Sequence, residues 1–112
     1  MIMMVYLPPS LRERRRYILF EVMHEREIDK RELLKAIWDS VYSLQGDVGA
    51  SESKLWLIEY NKKGDIGTGI LRCANGKVEE VRASLACIHS VNGVRVGIRV
   101  KKISGTIRGA RS

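Results

Sequence analysis

One pattern near the C-terminus limits the fold more than any other. Val94, Val96, Ile98 and Val100 alternate with Arg95, Gly97, Arg99 and Lys101. Only an extended strand sends these two sets to opposite sides, so the apolar row must be buried while the basic row faces away. Such a strand needs a sheet to belong to and a second layer to cover it. Asn92-Gly93 marks a tight turn into it. The same period of two runs through Tyr17 to Met23, with Ile18, Phe20 and Val22 on one side and Tyr17, Leu19, Glu21 and Met23 on the other.

Two further strands read as a hairpin. Leu55-Trp56-Leu57-Ile58-Glu59-Tyr60 and Ile66-Gly67-Thr68-Gly69-Ile70-Leu71-Arg72-Cys73 flank the polar loop Lys62-Lys63-Gly64-Asp65. Gly67 and Gly69 are unusual inside a strand and imply a bulge, or a close approach by a packed helix or a partner. Asp29-Lys30-Arg31-Glu32 has the form of a capping box and opens a helix from Leu33 to Gln45. Its apolar stripe is Leu33, Leu34, Ile37, Trp38, Val41 and Leu44, and Gly46 supplies a stop. Residues 47–53 read as a connector with room for one short helical turn. Asn75-Gly76 ends the third strand, and Val78, Val81, Leu85 and Ile88 then recur at helical spacing. Ser104 to Ser112 reads as a small-residue basic tail.

The order strand, helix, strand, strand, helix, strand predicts an α+β fold, the ferredoxin-like or RRM-like β-α-β-β-α-β sandwich. Its four-stranded antiparallel sheet carries both helices on one face. Right-handed crossovers place the first and third strands centrally, with the fourth beside the first. At 112 residues the expectation is one RNA-binding and assembly domain over residues 12–112, preceded by a flexible arm, residues 1–11, that contains Pro8-Pro9. No apolar run is long enough to cross a bilayer, and the opening Met1-Ile2-Met3-Met4-Val5 lacks the basic flank and cleavage site of a signal peptide. Cys73 and Cys87 have no framework spacing, which suits a reducing compartment and a cytoplasmic location.

The net charge is +7, and its distribution is more telling than its size. Residues 12–16 carry +3 and residues 95–112 carry +6, so the remainder of the chain is slightly acidic. Two concentrated basic blocks imply a polyanionic partner such as nucleic acid. In the expected topology the first strand runs antiparallel to the third and fourth, so its start meets their ends. Arg12, Arg14, Arg15 and Arg16 then join Arg72, Lys101 and Lys102 on one basic edge, with Lys54 and Arg108 in reach and Arg95 and Arg99 extending it across the open face.

Several functions are disfavoured. An RRM stacks bases on aromatics of its central strands; the third strand here has none, and Tyr17 alone remains on the first, which argues against single-strand reading by stacking. Leu19, Ile70 and a row from the second strand instead form an apolar patch that suggests a protein partner. Asp39, Asp47, Asp65, Glu79 and Glu80 do not cluster as a nuclease metal site requires. His24, His89, Cys73 and Cys87 lack zinc-ligand spacing, and no Cys-x-x-Cys loop follows the first strand. No catalytic and no metal-binding residue is assigned. A ribosome-associated RNA binder and a ferredoxin-like small-molecule or acyl-phosphate domain remain as alternatives.

A set of short segments, in order, is similar to a known family. They are Arg16-Tyr17-Ile18-Leu19-Phe20-Glu21-Val22, Ala36-Ile37-Trp38, Gly46-Asp47-Val48-Gly49, Trp56-Leu57-Ile58, Gly69-Ile70-Leu71-Arg72-Cys73, Val81-Arg82-Ala83-Ser84-Leu85 and Ser104-Gly105-Thr106-Ile107-Arg108. Together they resemble the protein component 2 family of archaeal ribonuclease P, which has a eukaryotic relative. The resemblance implies a non-catalytic subunit of the ribonucleoprotein that removes the 5′ leader of precursor tRNA. In that family the RNA performs the hydrolysis with Mg²⁺, and the protein binds no cofactor of its own. The implied partners are the ribonuclease P RNA, precursor tRNA through the holoenzyme, and protein component 3, in a complex with two copies of each. Ser104 and Thr106 are then candidates for phosphate hydrogen bonds beside the basic residues.

Overall fold

The structure is a computed structural model that describes residues 14–112. The expected N-terminal arm and Arg12 lie outside the described residues. The first strand, β1 (Arg15–His24), buries Ile18, Phe20 and Val22 completely, as its alternation requires. Helix α1 (Lys30–Ser53) opens on a complete capping box. The Glu32 amide donates to Asp29 Oδ1 at 2.8 Å, and the Asp29 amide donates to Glu32 Oε1 at 3.3 Å. That arrangement satisfies two otherwise orphaned donors and is worth about 1 kcal/mol.

Gly46 interrupts this helix as expected, with non-helical backbone between two helical segments. It adopts a φ of 75° and kinks the chain, after which the helix resumes through the expected connector and ends at Lys54, which is left-handed with a φ of 49°. The resumed segment is held by burial, since Ala50 and Ser53 are fully enclosed and Ser53 Oγ donates to the Gly49 carbonyl at 2.8 Å.

Strands β2 (Trp56–Lys63) and β3 (Ile66–Ala74) form the expected hairpin, turning at Gly64-Asp65, where Gly64 takes a φ of 64°. The two glycines of β3 face aromatic rings from neighbouring strands. A Cβ on Gly69 would lie 2.6 Å from Phe20 Cζ, and one on Gly67 would collide with the Tyr60 ring. The close approach is thus made within the sheet, by rings lying across glycines. A 3₁₀ turn at Asn75–Lys77 leads into α2 (Val78–Ala86), which buries Val81 and Leu85.

Among the described residues the sheet has five strands rather than four. Ser90–Val91 forms a short β4 that pairs with β5 (Val94–Ser104) across Asn92 and Gly93, whose φ values are 50° and 81°. The strand order is β2-β3-β1-β5-β4, antiparallel throughout. The order of the four long strands is compatible with the ferredoxin-like arrangement. α1 and α2 cover one face over a core that includes Ile18, Phe20, Val22, Leu33, Ile37, Val41, Leu57, Leu71, Val81 and Leu85.

The expectation that the other face is open is corrected by a third helix. The tail folds into α3 (Ile107–Arg111), which packs against β1 and β5 with Ala110 fully buried. Thr106 caps it by accepting from the Gly109 amide at 2.9 Å. Arg111 Nε reaches Glu59 Oε1 on β2 at 2.8 Å, and Lys102 Nζ donates to the Ser112 carbonyl at 3.1 Å. Ile70, expected to be part of an exposed patch, is only 2% exposed. Among the described residues no helix is long and apolar enough to cross a membrane.

Candidate nucleic-acid interface

Antiparallel pairing decides which basic residues meet. The start of β1 is registered against the ends of both neighbours: Arg15 with Ala74, Arg16 with Cys73, and Tyr17 with Arg72 on one side and Ser104 on the other. Leu19 pairs with Lys102. Arg14, Arg15, Arg16, Arg72 and Lys102 are therefore brought to one end of the sheet, although the two basic blocks are far apart in sequence. Alternation makes this end two-sided. Arg16 shares the side of Ile18 and the helices, while Arg15 shares the side of Tyr17 and α3.

A cleft of about 400 Å³ opens here, lined by Arg14, Arg15, Arg16, Tyr17, Asn75 and Gly105. Among the described residues no carboxylate lines it. Arg16 Nε donates to Asn75 Oδ1 at 2.7 Å, and the Asn75 amide donates to the Arg14 carbonyl at 2.9 Å. Asparagine commonly caps helices, yet neither the 3₁₀ turn nor α2 has a side-chain cap here, and the Asn75 acceptor goes to Arg16 instead. A neutral amide orients the guanidinium without cancelling its charge, leaving the two Nη groups able to fork onto a phosphate. Gly105 sits opposite, where even a Cβ would be in contact with Arg16 Nη1 at 3.6 Å. A neighbouring cleft of about 410 Å³, lined by Glu52, Lys54, Ala74, Gly76 and Lys77, continues past the 3₁₀ turn.

Other expected site residues are placed differently. Arg99 and Lys101 both lie against Glu21, at 3.7 and 3.5 Å, so part of their charge is compensated within the sheet. Lys101 stands at a bulge, between Lys102 opposite Leu19 and Val100 opposite Phe20. Arg95 is at the far end of β5, beside Met23 and Ile66 in a separate cleft of about 730 Å³. Its separation from the arginine cluster is some 30 Å along the strands at roughly 3.3 Å per residue. Arg108 is exposed on α3. Ser104 and Thr106 have folding roles: Ser104 Oγ accepts from the Thr106 amide at 3.2 Å, and Thr106 caps α3.

Sequence reasoning missed Asn75 and Gly105, while Lys77 in the neighbouring cleft is paired with Glu52 at 3.6 Å. Asn75 was visible only as a turn residue, because its partner lies 59 positions away. The apolar surface was misplaced in part: Ile70 is enclosed, whereas the second strand does expose Trp56, and the other exposed large apolar residues are Met23 and Ile66 at the far end of the sheet and Tyr42, Leu44 and Val48 on α1. Among the described residues no three His, Cys, Asp or Glu side chains are grouped as metal ligands. Burial pushes the Cys73 thiol up to about 11, with Arg16 pulling weakly the other way.

Comparison with known proteins places the chain in a family. The chain is 43% identical over 111 residues to Ribonuclease P protein component 2 of Methanothermobacter thermautotrophicus, covering 96% of this chain and 90% of that protein. It is 41% identical over 103 residues to the protein of the same name from Thermococcus kodakarensis, covering 92% and 84%. With that of Halorubrum lacusprofundi the identity is 36% over 107 residues, covering 94% and 67%. A chain in the cryo-EM structure of yeast Ribonuclease MRP superposes with a TM-score of 0.61 at 10% identity, covering 83% of this chain and 75% of that one, a likeness of fold. The profile of the Rpp14/Pop5 family matches residues 16–112, from the arginine cluster to the C-terminal helix, and the chain belongs to that family.

Proposed function

We infer that the chain is a non-catalytic protein subunit of ribonuclease P, the ribonucleoprotein that removes the 5′ leader of precursor tRNA. The relatives named above are ribonuclease P proteins and are matched over nearly their whole length in the first two cases. The observation that carries the RNA-binding reading is the end of the sheet where Arg14, Arg15 and Arg16 meet Arg72 and Lys102 around a cleft whose described lining holds no carboxylate. Its chemistry is charge neutralisation. Guanidinium and ammonium groups placed against the RNA backbone release condensed counterions and reduce the repulsion of closely packed phosphates. The catalytic RNA then needs less Mg²⁺ to hold its active fold. The ion belongs to the RNA, and no step of hydrolysis is assigned to this chain.

The ferredoxin-like description of the fold, assembly with protein component 3 with two copies of each, precursor tRNA as a partner through the holoenzyme, and a cytoplasmic location complete the proposal. The exposed apolar residues Met23 and Ile66, at the end remote from the arginines, favour a protein contact there. The test is 5′-leader cleavage by the cognate catalytic RNA at limiting Mg²⁺, with this protein, with protein component 3, and with both. Strong activation by the pair is expected. No activation, with folded protein and correct RNA, would return the ribosome-associated and small-molecule alternatives to the front.

A further inference from the structure

The pairing register brings the tryptophan of β2 into one row with the tyrosine of β1. Trp56 is opposite Arg72, Arg72 is opposite Tyr17, and Tyr17 is opposite Ser104. The four residues form one row across four strands, on the side of the sheet away from α1 and α2, because their neighbours Leu57, Leu71 and Ile18 are the ones buried in that core. The next row, Glu59, Ile70, Leu19 and Lys102, is crossed by α3, with Arg111 anchored on Glu59 and Ser112 on Lys102. Trp56 stands clear of it and is 57% exposed, the most exposed aromatic side chain among the described residues. Arg72 is half-buried beside it, and among the described residues its enclosed Nε has no hydrogen-bond partner.

An exposed indole on the residue paired with Arg72, on the same face as Tyr17 and Arg15 and at the end of the sheet where Arg14 and Arg16 also lie, combines a π-face with a phosphate-attracting field. That combination is what single-stranded nucleic acid binders use: bases stack on aromatics while the backbone follows basic side chains. A protein partner would also accept an exposed tryptophan, but the surrounding charge favours a polyanion. We propose that Trp56, with Arg72 and Tyr17, forms a stacking site for an unpaired nucleobase of RNA, next to the phosphate contacts of the arginine cluster. This inference rests on reading that end as an RNA interface. The unpaired base can belong to a joining segment of the catalytic RNA or to the leader of precursor tRNA.

The test measures binding of the full chain to a single-stranded RNA of about eight nucleotides and to the same oligonucleotide with abasic positions, across a salt series. Trp56→Ala should weaken the intact oligonucleotide about 5- to 50-fold with an unchanged salt slope. Trp56→Phe should keep most of the affinity. The abasic oligonucleotide should bind wild type and Trp56→Ala alike. Circular dichroism confirms that the variants are folded. Comparing precursor tRNA with mature tRNA, and each with the cognate ribonuclease P RNA, identifies which RNA supplies the base. Equal binding of the intact oligonucleotide by wild type and Trp56→Ala would overturn the proposal. So would loss of protein component 3 binding by Trp56→Ala with RNA binding unchanged. If Arg16→Ala weakens binding to ribonuclease P RNA while Trp56→Ala changes nothing, only the stacking inference fails. If neither has any effect, the RNA-interface reading fails with it.

Discussion

The two ends of this sheet are built from the same strands and present opposite chemistry. At one end β1 begins beside three arginines that meet Arg72 and Lys102 around a cleft whose described lining is free of carboxylates. At the other, β1 ends at Met23 and His24 beside Ile66 and Gly97, where Arg95 shares the cleft with Glu25 and Asp65. Between them Glu21 holds Arg99 and Lys101, and Glu59 holds Arg111. Exposed pairs of this kind are worth little to stability. Their effect is on the field: the middle of the face is locally compensated, and positive charge is concentrated at one end. Net charge alone says that the protein attracts polyanions, whereas the placement of its few acids says where.

The contrast can be broken most directly by removing the arginines. Replacing Arg14, Arg15 and Arg16 with Ala should lower affinity for ribonuclease P RNA by about a hundredfold and flatten the dependence of log K on log salt by about two to three units, at roughly 0.9 for each phosphate no longer neutralised. Filter binding over a salt series reads both quantities. A reduction no larger than that of Arg95→Ala would abolish the distinction between the ends.

The sheet that keeps the ends apart depends on rings crossing glycines. Gly69→Val should destabilise the fold by about 2 kcal/mol, because the new side chain meets the Phe20 ring. Urea denaturation would show it, and an unchanged midpoint would mean that the ring moves freely aside.

Within the basic end, Asn75→Ala should weaken RNA binding about threefold to tenfold, as expected for removal of one orienting hydrogen bond. The salt slope should stay as in wild type, since the Arg16 charge remains. Combined with Arg16→Lys, which has no Nε to be held, the same substitution should add nothing.

At the apolar end, Arg95→Ala and Met23→Ser should each change RNA affinity by less than about twofold, the ordinary scale for a residue outside the phosphate contacts. The smallest effect concerns the thiols. Cys73 is buried with its pKa raised to about 11, so at pH 8 it stays protonated and enclosed, whereas Cys87 is exposed. A thiol reagent at pH 8 should therefore modify one cysteine of the folded chain quickly and the second only on unfolding.

Much of the fold could be read from local pattern because its causes are local. Period-two alternation, the Asp29–Glu32 capping box and the Gly64 and Gly93 turns each act within a few residues, and each appears in the structure. Elements that lack an internal signal escaped. β4 is only Ser90–Val91 and cannot display alternation, and α3 is a short helix, Ile107–Arg111, capped by Thr106. The helical segment after Gly46, read only as a connector with room for one turn, is longer than expected and buries Ala50 and Ser53. In the site, the arginine cluster was legible because antiparallel pairing follows from strand order. Its fine structure was not: the Arg16–Asn75, Lys101–Glu21 and Arg111–Glu59 contacts join residues 52 to 80 positions apart, where no spacing rule applies.

The amino-acid sequence by itself determined the class of fold, the hydrophobic rows and the presence of two basic blocks, since these follow from periodicity and composition. Tertiary structure alone decided which charges face an acid, that Ile70 is enclosed, and that Trp56 stands in a row with Arg72 and Tyr17. Those outcomes depend on register and on a bulge, and a shift of one residue in pairing would send every side chain to the other face.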